Sequence, residues 1–278
     1  MWFIILLLLI FILGLIILVH EFGHFITAKK FGVHIYEFSI GMGPLIKTHK
    51  GKDGIDYNIR ALPIGGFVSM AGEVYEDDDT KKIKKEDFMC NKKWWQRVII
   101  LAAGVFNNFV LAILILFLMA LIWGANGLEP RVGTVLEDSA ALAGGLKEGD
   151  LILSINDHKV STWDQTQIVL YLKNESNIYE FEVERDGDTV TLEIEPDITE
   201  TETGEEQKTF GFGIEQTTER GLWASIQYAF QRFWSLISTM WLTVINLFTG
   251  QISLSSLSGP VGIYHVVGQS LSMGLQQI

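Results

Sequence analysis

Two histidines and a glutamate interrupt an apolar segment near the N-terminus, in the sequence LIILVHEFGHFITAKKFG. His20 and His24 lie four positions apart, which places both imidazoles on one face of a helix. Two such nitrogens can each bind a zinc ion at roughly 2.0–2.1 Å. Glu21 projects beside them and can act as a general base toward a metal-bound water. The pattern His-Glu-x-x-His therefore predicts a zinc site for hydrolysis of peptide bonds.

The apolar surroundings of these side chains strengthen the prediction. Residues 2–19 form a run of 18 apolar residues, which is long enough to cross a bilayer as a helix. A carboxylate and two imidazoles left without partners at that depth would be costly, and a bound cation removes the cost. Residues 1–27 are therefore predicted to be a transmembrane helix that holds zinc.

A second apolar stretch begins at residue 98, and residues 96–124 are predicted to be a second transmembrane helix. Gly104 and Asn108 within it are four positions apart and share one helix face. Two explanations stay open for this small-residue face. It packs closely against another helix, or Asn108 holds the substrate backbone near the metal.

Composition places the chain in a membrane, because 48% of its 278 residues are hydrophobic and the mean hydropathy is +0.27. The net charge of −12 is unevenly spread. Residues 27–97 hold 13 Lys/Arg and 10 Asp/Glu, whereas residues 125–222 hold 7 and 22. Cytoplasmic loops are rich in Lys and Arg, so the loop 28–95 is predicted to be cytoplasmic and the acidic region to lie outside. No nucleic-acid partner is predicted.

The loop 28–95 is predicted to have two parts. Residues 40–74 contain short β-prone runs separated by Gly and Pro, which favour a small hairpin or sheet. Residues 76–93 carry a dense run of both charges, which is typical of a solvated surface loop.

The second half of the chain is predicted to begin with an independent α+β domain, residues 125–198. Its strongest signal is a hairpin, in which alternating apolar residues flank the turn Asp186-Gly187. The Thr/Glu-rich residues 199–221 are predicted to be an acidic linker. Residues 222–249 are apolar and aromatic with several polar side chains, and hydropathy leaves open whether they span the membrane or lie on it as an amphipathic helix.

Five motifs in this order carry a family resemblance: HEFGHFITAKKFGVHIYEFSIGMGP, YNIRALPIGGFVSMAGE, WWQRVIILAAGVFNNFVLAI, SAALAGGLKEGDLILSIN and LSGPVGI. The sequence resembles the site-2 protease family of bacterial intramembrane zinc metalloproteases, and most closely its regulator-of-sigma-factor branch. The resemblance implies a membrane α-helical protease core with a membrane-associated β element, plus a PDZ (α+β) domain outside the cell membrane. It also implies Zn²⁺ as the cofactor, with the active site near the cytoplasmic side.

The resemblance assigns roles to individual residues. His20 and His24 correspond to zinc ligands and Glu21 to the catalytic base. Gly104 and Asn108 match the Gly-x-x-x-Asn pattern of the family's second helix, and the resemblance implies that they position the substrate.

A third zinc ligand is not found among these residues. In the family it is the Asp of an Asp-Gly pair in a later apolar helix, whereas both Asp-Gly pairs of this chain, at Asp53 and Asp186, lie in polar turns. The sequence is therefore expected to be truncated at its C-terminus, and the 278-residue piece is expected to be inactive alone.

The resemblance further implies the substrates, which are single-span membrane proteins such as anti-sigma factors, and remnant signal peptides. The β element 40–74 would hold a substrate extended by strand addition, with YNIRAL as the edge strand, and the alternative that stays open is a purely structural hairpin. The PDZ domain would bind peptide termini or admit only trimmed substrates. Residues 222–278 would begin with an interfacial helix. The alternative function is a non-catalytic PDZ membrane scaffold with a degenerate protease core.

Overall fold

The computed structural model describes residues 2–73, 83–172, 177–200, 206–252 and 259–273. Its helices are α1 (Trp2–Lys30), α2 (Trp94–Trp123), α3 (Ala140–Ala143), α4 (Trp163–Tyr171), α5 (Leu222–Phe248) and α6 (Pro260–Met273). Its strands are β1 (Ile35–Lys50), β2 (Asp56–Met70), β3 (Ala125–Asn126), β4 (Val132–Val135), β5 (Leu151–Ile155), β6 (His158–Lys159), β7 (Tyr179–Arg185), β8 (Asp188–Ile194), β9 (Asp197–Glu200), β10 (Glu206–Thr209), β11 (Phe212–Ile214) and β12 (Thr218–Glu219). The chain divides into two compact units, which are residues 1–114 with 259–278, and residues 115–258.

The long helices α1 and α2 have the length and composition of membrane spans. In their most apolar 18-residue windows only 11% and 6% of the residues are buried. A core helix of a soluble protein would bury most of such a window, so these helices present their apolar side chains outward, as lipid-facing helices do. Both predicted transmembrane helices are therefore present as helices of the expected length.

Close contact between α1 and α2 depends on a glycine. A Cβ added at Gly23 would lie 2.3 Å from the carbonyl oxygen of Ala103, so the two backbones could not approach as they do with any larger residue. Small residues allow this kind of approach between membrane helices. The contact brings the face of α2 that carries Gly104 beside His20 and His24.

Strands β1 and β2 form the predicted sheet and fold back on themselves. Residues 37–40 of β1 have neighbours on both sides, 66–69 and 56–59, and residues 45–50 pair with 56–60. The order across the sheet is therefore 45–50, 56–60, 37–40 and 66–69. The prediction that YNIRAL is an edge strand is wrong, because its first three residues are paired on both sides. Apolar and polar alternation is the same in edge and inner strands, so the sequence could not distinguish them.

The first unit has a core between α1 and this sheet. Phe25 of α1 packs on Phe38 of β1 with ring centroids 4.9 Å apart, and Ala28 is fully buried. At the end of α1, Lys29 Nζ lies 2.6 Å from Asp53 Oδ2, and the hydroxyl of Tyr57 donates to the same oxygen at 3.0 Å. The hydrogen bond from Lys29, with that from Tyr57, lowers the pKa of Asp53 to about 2. These contacts fix the turn of the sheet to the end of α1.

The charged segment 76–93 is only partly a surface loop. Residues 74–82 lie outside the described residues, so the prediction for them stays a prediction. In the remainder, two short 3-10 turns cover Lys85–Asp87 and Met89–Asn91. Met89 is 8% exposed, and its N–H donates to the carbonyl of Ala71 at 2.7 Å. The prediction of a solvated loop is therefore wrong at Met89. The charged residues that surround it in the sequence give no sign that this apolar residue is buried.

The second unit contains an α+β arrangement with the strand order β6-β5-β7-β8. The predicted hairpin is present, with Arg185 opposite Asp188 and positive φ angles of 55° at Asp186 and 91° at Gly187. Inward side chains of β7 are fully buried and form the centre of the core. They are Tyr179, Phe181 and Val183.

A buried ion pair stabilises this unit. Asp150 is 1% exposed, and Arg185 donates to its two oxygens from Nε at 2.7 Å and from Nη2 at 2.6 Å. The N–H of Lys147 adds a third hydrogen bond at 2.9 Å. The carboxylate is thus paired with an opposite charge and hydrogen-bonded on both oxygens.

The predicted acidic linker, residues 199–221, is wrong for the part that the structure describes. There β11 pairs with β4, β12 pairs with β3, and Phe210 is 7% exposed within the core of the unit. The sequence TFGFGI alternates aromatic and small residues, but it stands among Thr and Glu residues whose polarity outweighs it over a longer window. The α+β unit therefore extends beyond the predicted boundary at residue 198.

Helix α5 belongs to this unit and packs on α4 through polar side chains. Arg232 pairs with Asp164, Ser235 donates to Thr162 Oγ1 at 3.0 Å, and Gln165 donates to Ser238 at 2.9 Å. The opposite side of α5 is aromatic and exposed. Its tryptophans Trp223, Trp234 and Trp241 are 69%, 70% and 67% exposed.

Candidate metal centre

The three side chains of the His-Glu-x-x-His pattern converge on α1. One ligand atom from each of His20, Glu21 and His24 lies within 4.8 Å of the others, and all three residues are partly buried. The two imidazole rings are 4.8 Å apart between centroids and inclined at 78°. The helical spacing thus brings together the residues that the sequence predicted to act together.

The orientation of His24 is set by the backbone of α2. Its Nδ1 lies 2.7 Å from the carbonyl oxygen of Ile100, which can only accept a hydrogen bond. Nδ1 therefore carries the proton, and Nε2 keeps a free electron pair for a metal. No sequence signal marks this contact, because a backbone carbonyl is present at every residue.

Gly104 borders the space toward which both imidazoles point. A Cβ added there would lie 2.5 Å from His20 Nε2 and 2.6 Å from His24 Nε2. Any residue other than glycine would occupy the position between the two nitrogens. The structure therefore brings Gly104 to the predicted site and gives it a steric reason to be glycine.

The carboxylate of Glu21 is held by the sheet. Its Oε2 accepts a hydrogen bond of 3.3 Å from the backbone N–H of Val68 in β2. A strand thus contributes to the site through its backbone, which the sequence could not indicate.

Two neighbouring asparagines of α2 reach α1. Asn107 donates from Nδ2 to the carbonyl of Val19 at 3.2 Å. Asn108 places Nδ2 3.4 Å from His20 Nδ1, and its Oδ1 is buried with no hydrogen-bond partner. The predicted residue Asn108 is therefore in contact with a candidate ligand, and Asn107, which the sequence analysis did not select, binds the adjacent backbone.

Another carboxyl group lies within electrostatic range of the site. Desolvation by surrounding atoms and then the charge of Glu21 raise the pKa of Glu73, although its side chain keeps contact with solvent. Glu73 was not predicted to be a site residue, because its only signal in the sequence is its position at the end of the motif YNIRALPIGGFVSMAGE. Among the described residues, no further histidine, cysteine or acidic residue joins His20, Glu21 and His24 as a fourth candidate ligand.

The donor set fits a zinc ion. Imidazole nitrogens and a nearby carboxylate are ligands that zinc accepts in proteins, and the glycine leaves room between the nitrogens. The Asp-Gly pairs do not contribute, since Asp53 binds Lys29 and Tyr57, and Asp186 lies in the β7–β8 turn of the other unit.

Comparison with known proteins also indicates a zinc metalloprotease. The family model described as peptidase family M50 matches residues 8–278. The regulator of sigma-W protease RasP of Bacillus subtilis is 30% identical over 96% of this chain and 80% of its own length. The metalloprotease MmpA of Caulobacter vibrioides is 31% identical over 94% of this chain and 71% of its own length, and the zinc metalloprotease RasP of Shouchella clausii is 29% identical over 96% and 80%.

The matched residues include most of α1, all of α2 and the His-Glu-x-x-His pattern at their contact. The chain belongs to peptidase family M50, the site-2 protease family of membrane zinc metalloproteases.

Proposed function

We propose that the protein is an intramembrane zinc endopeptidase that hydrolyses peptide bonds of single-span membrane proteins. The observation that supports this most is the convergence of two imidazole Nε2 atoms on the space above Gly104, with Glu21 beside them, in a helix of membrane length. The names of the relatives RasP and MmpA support a metalloprotease. Anti-sigma factors and remnant signal peptides are the proposed substrates.

His20 and His24 would hold the zinc through Nε2. When bound, zinc lowers the pKa of a coordinated water and polarises the carbonyl under attack. Glu21 would accept the proton of that water and deliver it to the leaving amine nitrogen. The hydrogen bond from Val68 holds the Glu21 carboxylate in place during both transfers.

An extended substrate backbone is proposed to pair with the sheet. Residues 45–50 form one edge of the strand order and are exposed throughout, so their backbone groups on the side away from 56–60 can bind another strand. Ile46 lacks a register partner among the β1–β2 pairs. A proline there should reduce cleavage and leave zinc content unchanged, whereas Ile46→Ala should change neither. Undiminished cleavage by the proline variant would exclude strand addition at this edge.

Membrane attachment of α5 is proposed from its two faces. Its polar face binds α4, and its exposed tryptophans are spaced to lie on one stripe of the helix. Tryptophan prefers the membrane–water interface. This arrangement favours the interfacial interpretation of residues 222–249, and the acidic charge of residues 125–222 supports an extracytoplasmic position for the α+β unit.

The α+β unit is proposed to be a PDZ domain that binds peptide termini or filters substrates. The alternative, a PDZ scaffold with a degenerate core, has less support, because the imidazoles and the glycine between them retain a geometry that binding of a peptide terminus does not require.

The proposal is tested with the full-length protein and a single-span model substrate in detergent or liposomes. Cleavage should stop with a zinc chelator and resume when zinc is added back. His24→Ala should be inactive, and His34→Ala, which changes an exposed histidine outside the site, should cleave normally. Cleavage that persists in chelator and in His24→Ala would exclude a zinc peptidase.

A further inference from the structure

Asn108 contains a buried polar atom at the metal centre that has no hydrogen-bond partner among the described residues. Its Oδ1 is buried, and its Nδ2 lies 3.4 Å from His20 Nδ1. A side-chain amide can turn by half a rotation about its last bond, which exchanges oxygen and nitrogen with little change in shape. The turned amide would place Oδ1 next to His20 and free the Nδ2 group from facing a ring nitrogen.

The partner histidine shows which arrangement suits a metal. His24 gives its Nδ1–H to the carbonyl of Ile100, which leaves Nε2 unprotonated. For His20 to offer Nε2 in the same way, its Nδ1 must carry the proton, and the group beside Nδ1 must accept it. Of the two ends of the Asn108 side chain, only Oδ1 can accept.

Helix α2 would then supply three successive elements of the site on one face. The carbonyl of Ile100 orients His24, Gly104 leaves the space, and the amide of Asn108 orients His20. These positions are four residues apart, so each lies one turn above the previous one. Both imidazoles are thereby turned so that Nε2 faces the same point.

We propose that Asn108 is a positioning residue for the metal, whose Oδ1 accepts the Nδ1–H of His20 and holds its Nε2 toward the space above Gly104. This inference rests on the proposed zinc peptidase function and deepens it. It differs from a role in binding the substrate backbone, which would leave the affinity for zinc unchanged when Asn108 is replaced.

The first experiment measures zinc affinity of the full-length protein by competition with a chelator. Asn108→Leu keeps the size of the side chain without an acceptor and should weaken zinc binding by roughly 10- to 100-fold, as losses of such supporting hydrogen bonds do. Asn108→Asp keeps an acceptor and should retain the affinity. Asn107→Leu is the matched control, because it removes a hydrogen bond to the backbone of Val19 and leaves His20 untouched.

A second measurement detects the hydrogen bond in the metal-free protein. In ¹⁵N-histidine NMR spectra, the Nδ1–H of His20 should be protected from exchange in the wild type and in Asn108→Asp, and unprotected in Asn108→Leu. Because it needs no metal, this measurement remains informative if a variant binds zinc poorly through a folding defect.

Three results would overturn the inference. Wild-type zinc affinity in Asn108→Leu together with a raised KM for cleavage would assign Asn108 to the substrate, and the zinc peptidase function would stand. An unprotected Nδ1–H in the wild type would show that the hydrogen bond does not form. Absence of zinc binding by the wild type would overturn both this inference and the proposed function.

Discussion

Ionisable side chains lie at least partly buried in both units of the molecule, but their polar atoms are paired in different ways. In the α+β unit, Asp150 is 1% exposed and receives three hydrogen bonds, two of them from the guanidinium of Arg185. In α1, Glu21 receives one hydrogen bond from a backbone N–H, and His20 and His24 point their Nε2 atoms at the same open space.

The difference separates a structural role from a functional one. A buried charge with an opposite charge and full hydrogen bonding belongs to the fold, and removing one partner destabilises it. Acceptor atoms that converge without a donor or a cation are costly unless something binds between them. The pair Asp150–Arg185 is complete by itself, whereas we propose that a metal ion completes the α1 group.

The largest expected effect is on catalysis. Glu21→Gln removes the proton acceptor and should lower the rate of cleavage by roughly 10²- to 10⁴-fold, without loss of zinc or of thermal stability. Glu86→Gln, at an exposed carboxylate of a 3-10 turn, is the control and should cleave normally. If Glu21→Gln cleaves at the wild-type rate, Glu21 is not the general base.

A substitution in the buried ion pair of the α+β unit should change only the stability of that unit. Asp150→Asn leaves Arg185 without its counter-charge in a mostly buried position and should destabilise the α+β unit by about 3 kcal/mol. Hydrogen exchange of the β5 and β7 amides in the full-length protein measures this, with the exposed Asp188→Asn as control. Zinc content should stay unchanged, and a loss of zinc in Asp150→Asn would erase the distinction between the two regions.

The same pair predicts a dependence of stability on pH. Burial by itself raises the pKa of Asp150, but the hydrogen bonds from Arg185 and Lys147 outweigh it, and the net pKa is below the ordinary value of 3.8. Its contribution to stability is therefore fully present above about pH 3.8 and is lost as the pH falls further. Hydrogen exchange of β5 measured below that pH should accelerate in the wild type and less in Asp150→Asn. An equal acceleration in both would assign the acid sensitivity to other groups.

The smallest effect is expected at α5, whose ion pair is partly exposed to solvent. Arg232→Met should weaken the attachment of α5 to α4 by about 1 kcal/mol or less. Faster hydrogen exchange in α4 would report it. Trp234→Ala, on the exposed side, should leave that exchange unchanged and reduce the fraction of tryptophan fluorescence that brominated lipids quench in liposomes. Identical behaviour of the two variants in both assays would contradict separate roles for the two faces.

Sequence reasoning found the parts of the site that depend on local spacing. The convergence of His20, Glu21 and His24 follows from helical periodicity, and the hairpin at Asp186 follows from alternation and a turn pair. The groups that orient the ligands were not predictable, because the carbonyl of Ile100 and the N–H of Val68 are backbone atoms brought close only by tertiary packing.

The lack of a local sequence signal for tertiary contacts also explains the wrong predictions about the fold. Residues 199–221 looked like a linker because acidic residues dominate their composition, yet Phe210 supplies a core side chain and β11 supplies a partner for β4. The inner position of YNIRAL depends on β1 folding back to pair on both sides, which is a long-range contact with no local signature.

Metal analysis of the gently purified full-length protein would show whether His20 and His24 bind a zinc ion. We expect about one zinc per chain in the wild type and none above background in the double variant His20→Ala, His24→Ala. A matched double variant at two histidines outside the site, His34→Ala with His49→Ala, should keep the wild-type content. Equal zinc content in the two double variants would show that His20 and His24 do not bind the metal.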